Sequence, residues 1–239
     1  MIHAIILAGG TGTRVGANVP KQFIKFNNKP VLAYTIDLFE QNANIDFIEI
    51  VCHKDWMDYV RDMVKSYGYK KVYWITNGGN TFQESTVNGV LNLKGKISTD
   101  DIVVISFGVS PMTPQEDIDD SIRVCKKYGN AISSKDIDLC TCIKDDEYGS
   151  TQNIIRETMK GFANPWTFSY GELLEAYETA IERNMLKDLE PHTTSLYFAL
   201  GKRIWFSQCT SPNVKITTKQ DLDIFEGYLL LQEKRNKSK

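Results

Sequence analysis

Residues 2–14 read IHAIILAGGTGTR, an apolar run that passes directly into a glycine-rich segment. Residues 2–7 are rich in isoleucine, which is typical of a buried β-strand. The glycines that follow, Gly9, Gly10 and Gly12, let backbone N–H groups approach phosphate oxygens without a Cβ in the way. Because open α/β sheets bind ligands at the carboxyl ends of their strands, this junction predicts an anion-binding loop at the sheet edge.

The same alternation of strand and helix continues through the first half of the chain. Apolar runs rich in Ile and Val, without a polar residue at every second position, suit a parallel sheet that is buried on both faces. We therefore predict an α/β fold built on a doubly wound, mostly parallel, Rossmann-like sheet. Further strands are predicted at residues 47–52, 72–75 and 102–106. Helices are predicted at residues 30–41, 55–67, 81–93 and 115–128.

The second half of the chain is less regular. It predicts a helix at 170–183, and a last helix after Thr218, whose spacing to Asp221 fits a capping box. Residues 133–158 are polar and lack periodicity, which predicts a small extended arm, such as a hairpin, inserted into one domain that spans 1–239. Further strands are predicted at residues 196–199, 204–206 and 214–217.

The composition excludes several function classes. The 239 residues include 28 Lys and Arg and 30 Asp and Glu. This nearly neutral balance gives no overall positive charge that would favour binding to nucleic acid or to a membrane surface. No apolar run approaches the roughly 20 residues that span a bilayer, and no signal-peptide pattern precedes the first strand. Five scattered cysteines show no metal-ligand spacing and are interpreted as small buried residues of a reduced protein. These features predict a cytoplasmic protein.

The glycine-rich segment does not match two widespread phosphate loops. The dinucleotide fingerprint needs a third glycine where Val15 stands, and the Walker loop needs Lys and then Ser or Thr after Gly16. A nicotinamide oxidoreductase is therefore disfavoured, and a plain turn between strand and helix stays open as an alternative. Two cations, Arg14 and Lys21, do follow the glycines, and fixed cations suit a triphosphate whose charge grows during substitution at phosphorus.

The glycine-rich segment, followed by PKQF at 20–23, resembles the cytidylyltransferases that activate sugar and polyol phosphates, of the methylerythritol-4-phosphate and ribitol-5-phosphate type. The resemblance continues through Gly78-Gly79 with Ser85, and through VKIT at 214–217 with Asp221-Leu222. It covers nearly the whole chain in order and spacing, and the first motif is highly specific. It implies that the predicted domain is a nucleotidyltransferase.

The resemblance also implies substrates and site residues. It makes CTP the nucleotide, and it makes Arg14, Lys21 and Lys215 the catalytic cations around the phosphates. On the acceptor side it implies Arg156, reaching from the arm of a partner in a homodimer, and the position of Ser110. The implied nucleotide-binding residues are Leu7, Ala8, Gly9, Gly10, Thr11, Gly12, Thr13, Gly79, Asn80 and Ser85.

The implied reaction is attack by an oxygen of a phosphate monoester on the α-phosphorus of CTP. Pyrophosphate leaves, and a CDP-activated precursor forms, for teichoic acid, other cell-wall polymers or capsule rather than for isoprenoid biosynthesis. Positioning and charge neutralisation supply the rate in reactions of this kind, so no covalent enzyme intermediate is needed. The resemblance further implies Mg²⁺, held mainly by the CTP phosphates; its protein ligands stay unassigned.

The chain departs from the family pattern on the acceptor and metal side. Phe107 stands where the family carries a metal-binding Asp, and Ser110 where it carries an Arg; Phe82 also replaces an Arg. The segments Asn164-Pro165-Trp166 and Thr193-Thr194 differ as well. A phenyl ring cannot ligate Mg²⁺, and a hydroxyl cannot replace a bidentate phosphate clamp. We favour an enzyme with a different, less anionic or more aromatic acceptor over a nucleotide-binding homologue with impaired catalysis and a regulatory or assembly role.

Overall fold

Apolar strands and amphipathic helices alternate along the first half of the chain. The computed structural model describes residues 1–10 and 19–237. The strands are β1 (Ile2–Ala8), β2 (Lys25–Phe26), β3 (Lys29–Pro30), β4 (Phe47–Cys52), β5 (Val72–Asn77), β6 (Ile102–Phe107), β7 (Asn130–Asp136), β8 (Cys142–Ile143), β9 (Gln152–Asn153), β10 (Lys160–Ser169) and β11 (Phe206–Ser207). The helices are α1 (Val31–Gln41), α2 (Met57–Tyr67), α3 (Phe82–Asn92), α4 (Gln115–Tyr128), α5 (Tyr170–Glu182), α6 (Thr193–Ala199) and α7 (Lys219–Lys237).

Seven of these strands form one mixed sheet in the order β11-β7-β10-β6-β1-β4-β5. β1 lies between β4 and β6 and is parallel to both, β4 is parallel to β5, and β11 is parallel to β7. Strand β10 runs antiparallel to β6 and β7. The predicted mostly parallel, doubly wound α/β fold is confirmed.

Alternate residues of β1 enter two separate hydrophobic cores. Ile5 and Leu7 belong to the core that includes residues of α3 and α5, whereas Ala4 and Ile6 belong to the core that includes residues of α1, α2 and α4. All seven residues of β1 are buried. A strand buried on both faces has no polar side to alternate with, which explains the continuous apolar run in the sequence.

The predicted arm contains a small hairpin. Strands β8 and β9 pair antiparallel, with Cys142 opposite Asn153 and Ile143 opposite Gln152. Both strands are exposed on every residue. The expectation that the cysteines are buried is correct for Cys52 and Cys125 but wrong for Cys140 and Cys142, which are exposed on this arm.

Two predicted strands are wrong. Residues 196–199 lie in α6, because a short apolar run is equally consistent with a buried helix face. Residues 214–217 form no strand: Ile216 donates one backbone hydrogen bond to the carbonyl of Val109, at 2.8 Å, without joining the sheet. The strand predicted at 204–206 is displaced to Phe206–Ser207.

The C-terminal helix begins as predicted. The Asp221 N–H donates to the Thr218 hydroxyl oxygen at 3.3 Å, and the Thr218 N–H donates to the Asp221 carboxylate at 2.7 Å. This is the reciprocal pairing of a capping box, and it fixes the start of α7 directly after residues 214–217. Within residues 1–10 and 19–237, no helix has the length and apolar character needed to cross a membrane.

Candidate active site

A pocket of about 530 Å³ opens at the carboxyl ends of β1, β4 and β6. This is the edge at which open α/β sheets bind their ligands. Its walls come from the end of β1, the loop before β2, the loop between β5 and α3, the end of β6, and the segments before α6 and α7. The lining residues are Leu7, Ala8, Gly9, Gly10, Lys21, Gln22, His53, Gly79, Asn80, Thr81, Phe82, Ser85, Phe107, Val109, His192 and Lys215.

The start of the glycine-rich loop is held by an amide side chain. Gln22 is buried, and its Nε2 donates to the carbonyl of Ala8 at 2.8 Å and to that of Gly10 at 2.7 Å. These two bonds tie the short turn at Lys21–Phe23 to the end of β1, so that Lys21 lies beside the glycines. The motif PKQF thus contains a positioning residue to which the sequence analysis gave no role.

The remaining predicted residues of this loop, Thr11, Gly12, Thr13 and Arg14, lie outside the described residues. Leu7, Ala8, Gly9 and Gly10 all line the pocket. Their predicted contact with a nucleotide stays a prediction.

The loop between β5 and α3 forms the opposite wall. The hydroxyl oxygen of Ser85 accepts the Gly79 N–H at 3.1 Å and donates to the carbonyl of Thr81 at 2.9 Å. Glycine is required at position 79, because a Cβ there would lie 2.1 Å from the Cβ of Glu84. The Glu84 carboxylate in turn accepts the Asn80 N–H at 2.8 Å. The predicted residues Gly79, Asn80 and Ser85 therefore form one rigid turn that faces the glycine-rich loop.

Two lysines meet at the pocket through one backbone segment. The ammonium of Lys21 donates to the carbonyl of Ile216 at 2.8 Å, and the Ile216 N–H donates to the carbonyl of Val109 at 2.8 Å. Lys215, adjacent in the chain, places its ammonium 3.8 Å from the centre of the Phe107 ring. The structure thus brings together two of the three predicted catalytic cations, although they are separated by most of the chain.

The segment that carries Lys215 is held at its far end by Asp221. Burial alone raises the pKa of this carboxyl, but hydrogen bonds from the Thr218 and Thr217 backbone N–H groups, with a smaller contribution from Lys21, bring the pKa below its ordinary value. Both N–H groups lie 2.7 Å from the same carboxylate oxygen. Asp221 thereby holds residues 217 and 218 in place.

An aromatic cluster of Phe82, Phe107, Trp166 and His192 lies at one side of the pocket. Neighbouring rings in this cluster lie with their centroids 5.5 to 5.7 Å apart, in tilted or edge-to-face arrangements. Trp166 packs behind Phe107 and His192, and its indole N–H donates to the carbonyl of Ala163 at 2.7 Å. Among the described residues, the buried Nδ1 of His192 has no hydrogen-bond partner. The sequence analysis singled out Phe82, Phe107 and Trp166 one by one, but the cluster itself joins residues too distant in the chain to be recognised there.

The two predicted acceptor-binding residues do not line the pocket of this chain. Ser110 is fully buried, and its hydroxyl has no partner among the described residues. Arg156 is exposed on the arm, where it donates to the carbonyl of Asp138 and to Glu157, both at 3.2 Å. That position is compatible with a contact to a second protomer, and the role of both residues stays a prediction.

The residues of the pocket do not fit a protein-held Mg²⁺, which prefers carboxylate oxygens. None of the described lining residues carries a carboxylate, and the described part of the chain contains no group of three His, Cys, Asp or Glu side chains placed to hold a metal. Two nearby carboxylates, Glu84 in the first turn of α3 and Asp221 in the first turn of α7, accept hydrogen bonds from backbone N–H groups. The part of the chain that the structure describes therefore offers no protein ligand set for the expected magnesium.

Comparison with known proteins gives a consistent result. Residues 2–230 match the family described as IspD: 2-C-methyl-D-erythritol 4-phosphate cytidylyltransferase. A ribitol-5-phosphate cytidylyltransferase of Lacticaseibacillus paracasei is 36% identical over 233 residues, which cover 98% of this chain and 100% of that protein. A 2-C-methyl-D-erythritol 4-phosphate cytidylyltransferase of Clostridium novyi is 33% identical over 228 residues, 95% of each chain.

A solved structure supports the fold independently. The 4-diphosphocytidyl-2C-methyl-D-erythritol synthase of Anaerococcus prevotii superposes with a TM-score of 0.79 over 96% of this chain and 98% of its own. The two sequences are 22% identical, so this likeness speaks for the architecture alone.

Proposed function

The chain belongs to the 2-C-methyl-D-erythritol 4-phosphate cytidylyltransferase family, and on that premise we propose that it transfers CMP from CTP to a polyol phosphate. The observation that carries the proposal is the meeting of Lys21 and Lys215 at Ile216, beside Gly9 and Gly10. Two ammonium groups and a glycine-rich turn at the carboxyl edge of a parallel sheet suit a nucleoside triphosphate.

The two ends of the pocket differ in a way that suits the base and the phosphates of such a ligand. The turn that contains Gly79 and Ser85 offers backbone and hydroxyl groups, which suit a small pyrimidine base. The lysines lie on the side of Phe107 and would face the phosphates. Arg14, outside the described residues, is proposed as the third cation.

In the proposed reaction, a phosphate oxygen of the acceptor attacks the α-phosphorus of CTP. The bond from that phosphorus to the bridging oxygen breaks, and pyrophosphate leaves with the electron pair. Negative charge grows on the non-bridging and leaving oxygens, where Lys21 and Lys215 stabilise it without moving. Since the reactants are held in place by the pocket, much of the rate comes from positioning.

Ribitol 5-phosphate is the first acceptor to test, because the relative from Lacticaseibacillus paracasei carries that substrate in its name and matches 98% of this chain. The product would be a CDP-activated polyol, a precursor of teichoic-acid or capsule type. Such a reaction uses soluble substrates, and we propose the cytoplasm as its place.

We further propose a homodimer in which the arm of one protomer approaches the pocket of the other. The arm exposes large apolar side chains that a monomer would leave in water: Leu139 is 76% exposed, Tyr148 92% and Ile155 65%. Arg156 follows Ile155 directly and would enter the partner's acceptor site as a phosphate ligand.

The test is pyrophosphate release from CTP in the presence of a panel of polyol and sugar phosphates. Release that depends on one acceptor, with formation of the matching CDP product in mass spectrometry, supports transfer. CTP binding without turnover on any acceptor, with and without Mg²⁺, favours the alternative of a nucleotide-binding homologue with impaired catalysis. No binding of CTP would exclude both.

A further inference from the structure

The ammonium of Lys215 rests on the face of Phe107, 3.8 Å from the ring centre, and lies 5.7 Å from the centre of the Phe82 ring. Both distances are within the range of cation–π attraction. Phe107 is the last residue of β6, at the sheet edge where the pocket opens. The aromatic ring that stands in the position of the family's carboxylate thus holds a cation directly.

A ring and a carboxylate hold an ammonium with different electrostatic consequences. A carboxylate would cancel the charge of Lys215 and repel an incoming phosphate. The π face of a phenyl ring attracts the ammonium through its quadrupole and leaves its full charge in place. The contact with Phe107 therefore holds the Lys215 ammonium at the pocket without itself neutralising the charge.

The backbone on both sides of this contact is fixed. The Phe107 N–H donates to the side-chain carbonyl of Asn164 at 3.1 Å, and the Asn164 amide donates to Ser106 and Thr113. On the other side, the Ile216 N–H donates to Val109, two residues after Phe107. The backbones of residues 107 and 215 are therefore held close to each other, and the Lys215 side chain starts from a fixed position beside the ring.

The charged side chains of the described lining also favour an anionic ligand. The described lining carries Lys21 and Lys215 but no carboxylate. The carboxylates of Glu84 and Asp221, in the first turns of α3 and α7, accept hydrogen bonds from backbone N–H groups. A lining with ammonium groups and without carboxylates favours the most negatively charged form of a polyphosphate.

We infer that the phosphate end of this pocket binds a triphosphate without a metal ion, with the Lys215 ammonium on Phe107 supplying the charge that a carboxylate-held cation would supply. Phe107 is thereby a positioning residue for Lys215. The inference rests on the proposed function for the identity of the ligand as CTP, but the phosphate end can be tested apart from the base.

The test compares inorganic tripolyphosphate and CTP as ligands of the wild-type protein by titration calorimetry, in EDTA and in excess MgCl₂ at matched ionic strength. We expect metal-free tripolyphosphate to bind at least as tightly as its magnesium complex, because Mg²⁺ reduces the charge that the lysines recognise. Tighter binding in Mg²⁺, or binding that requires Mg²⁺, overturns the inference.

Variants at the ring separate charge from packing. In Phe107→Asp we expect metal-free tripolyphosphate to bind on the order of tenfold more weakly, because the carboxylate pairs with Lys215, and Mg²⁺ to restore most of the loss. Phe107→Leu removes the π face without adding charge, so a weakening of only a few-fold is expected, with no restoration by Mg²⁺. Equal behaviour of the Asp and Leu variants contradicts the inference.

A second acidic variant covers the case in which Phe107→Asp does not fold. Phe82 is partly exposed at the first position of α3, where an acidic side chain is favourable, so Phe82→Glu is expected to fold and to weaken metal-free binding in the same way. The two ligands distinguish the proposals. If tripolyphosphate binds without metal and CTP binds no more tightly, the cytidine assignment fails while the inference stands.

Discussion

The hydroxyl oxygen of Ser85 lies 2.9 Å from the position that a Cβ on Gly9 would occupy. The glycine-rich loop and Ser85 at the start of α3 are thus so close that a side chain at position 9 would overlap the Ser85 hydroxyl. In Gly9→Ala we expect the free energy of unfolding to fall by about 1–3 kcal/mol, since the methyl group overpacks this contact. Urea denaturation measures the change.

Gly10→Ala is the matched control, because no described atom lies within 4 Å of the added Cβ. It is expected to change the free energy of unfolding by about 0.5 kcal/mol or less. The double variant Gly9→Ala with Ser85→Ala adds a sharper test. Without the Ser85 hydroxyl, the atom nearest to the added Cβ of residue 9 is the Cβ of residue 85, at 3.7 Å. The double variant should therefore lose less stability than the two single variants combined. Strict additivity would falsify the proposed contact.

Lys21→Ala removes a cation from the pocket with little disturbance of the fold. The Nζ hydrogen bond to Ile216 is lost, which costs about 1 kcal/mol of stability. We expect kcat/KM to fall roughly 100-fold or more, as when a stabilising donor is removed from a developing anion. Lys25→Ala, at an exposed position in β2, serves as the control and should retain turnover. Unchanged turnover in Lys21→Ala would remove this lysine from the site.

The first half of the fold could be predicted because its physical signal is local. Strands β1, β4 and β6 are mostly apolar and are separated by helices with amphipathic periods, so their positions followed from composition and spacing alone. Strand β7, by contrast, carries Ser133 and Ser134 inside the buried part of the sheet. The Ser133 hydroxyl donates to the carbonyl of Gln208, a long-range contact that the sequence does not reveal.

The candidate site also has a part that the sequence predicts and a part that it does not. Lys21, Gly79, Ser85 and Lys215 were predicted from motifs and all line one pocket. The aromatic cluster could not be predicted, because each ring alone is more simply explained as core. Its arrangement depends on β10 running antiparallel beside β6, which places Trp166 next to Phe107.

Glu49 provides a prediction about pH. This carboxyl is fully buried in β4, and burial raises its pKa to about 7, against hydrogen bonds from Thr76 and Asn92 that lower it. The folded protein therefore binds the proton more tightly than the unfolded chain, and stability falls as the pH rises from 4.5 towards 7. Glu49→Gln mimics the neutral acid, so we expect a higher melting temperature at pH 8 and a gain that shrinks towards pH 4.5.

The size of that gain has an upper bound. A pKa displaced from 4.5 to about 7 corresponds to roughly 3 kcal/mol in favour of the neutral form. The exposed Glu116→Gln is the control and should shift the melting temperature little at either pH. An equal gain for Glu49→Gln at pH 8 and pH 4.5 would show that the buried charge is not its cause.

The arm makes a prediction about assembly. Light scattering at micromolar concentration should give a dimer, and Ile155→Asp should shift it towards monomer, because a carboxylate replaces an exposed apolar contact. Arg156→Ala should keep the dimer but lower kcat/KM roughly 10- to 100-fold through a raised KM for the acceptor. A wild-type monomer, or an Arg156→Ala variant with unchanged KM, contradicts this arrangement.

The tie between Lys21 and Ile216 joins two points 195 residues apart in the chain. During synthesis on the ribosome, β1 and the glycine-rich loop emerge among the first residues, whereas Lys215 and Ile216 follow only after the sheet strands have been translated. A nascent chain can therefore assemble most of its parallel strands while the pocket still lacks one wall and a cation. A ligand that needs both Lys21 and Lys215 would therefore stabilise the chain only after nearly all of it has been translated.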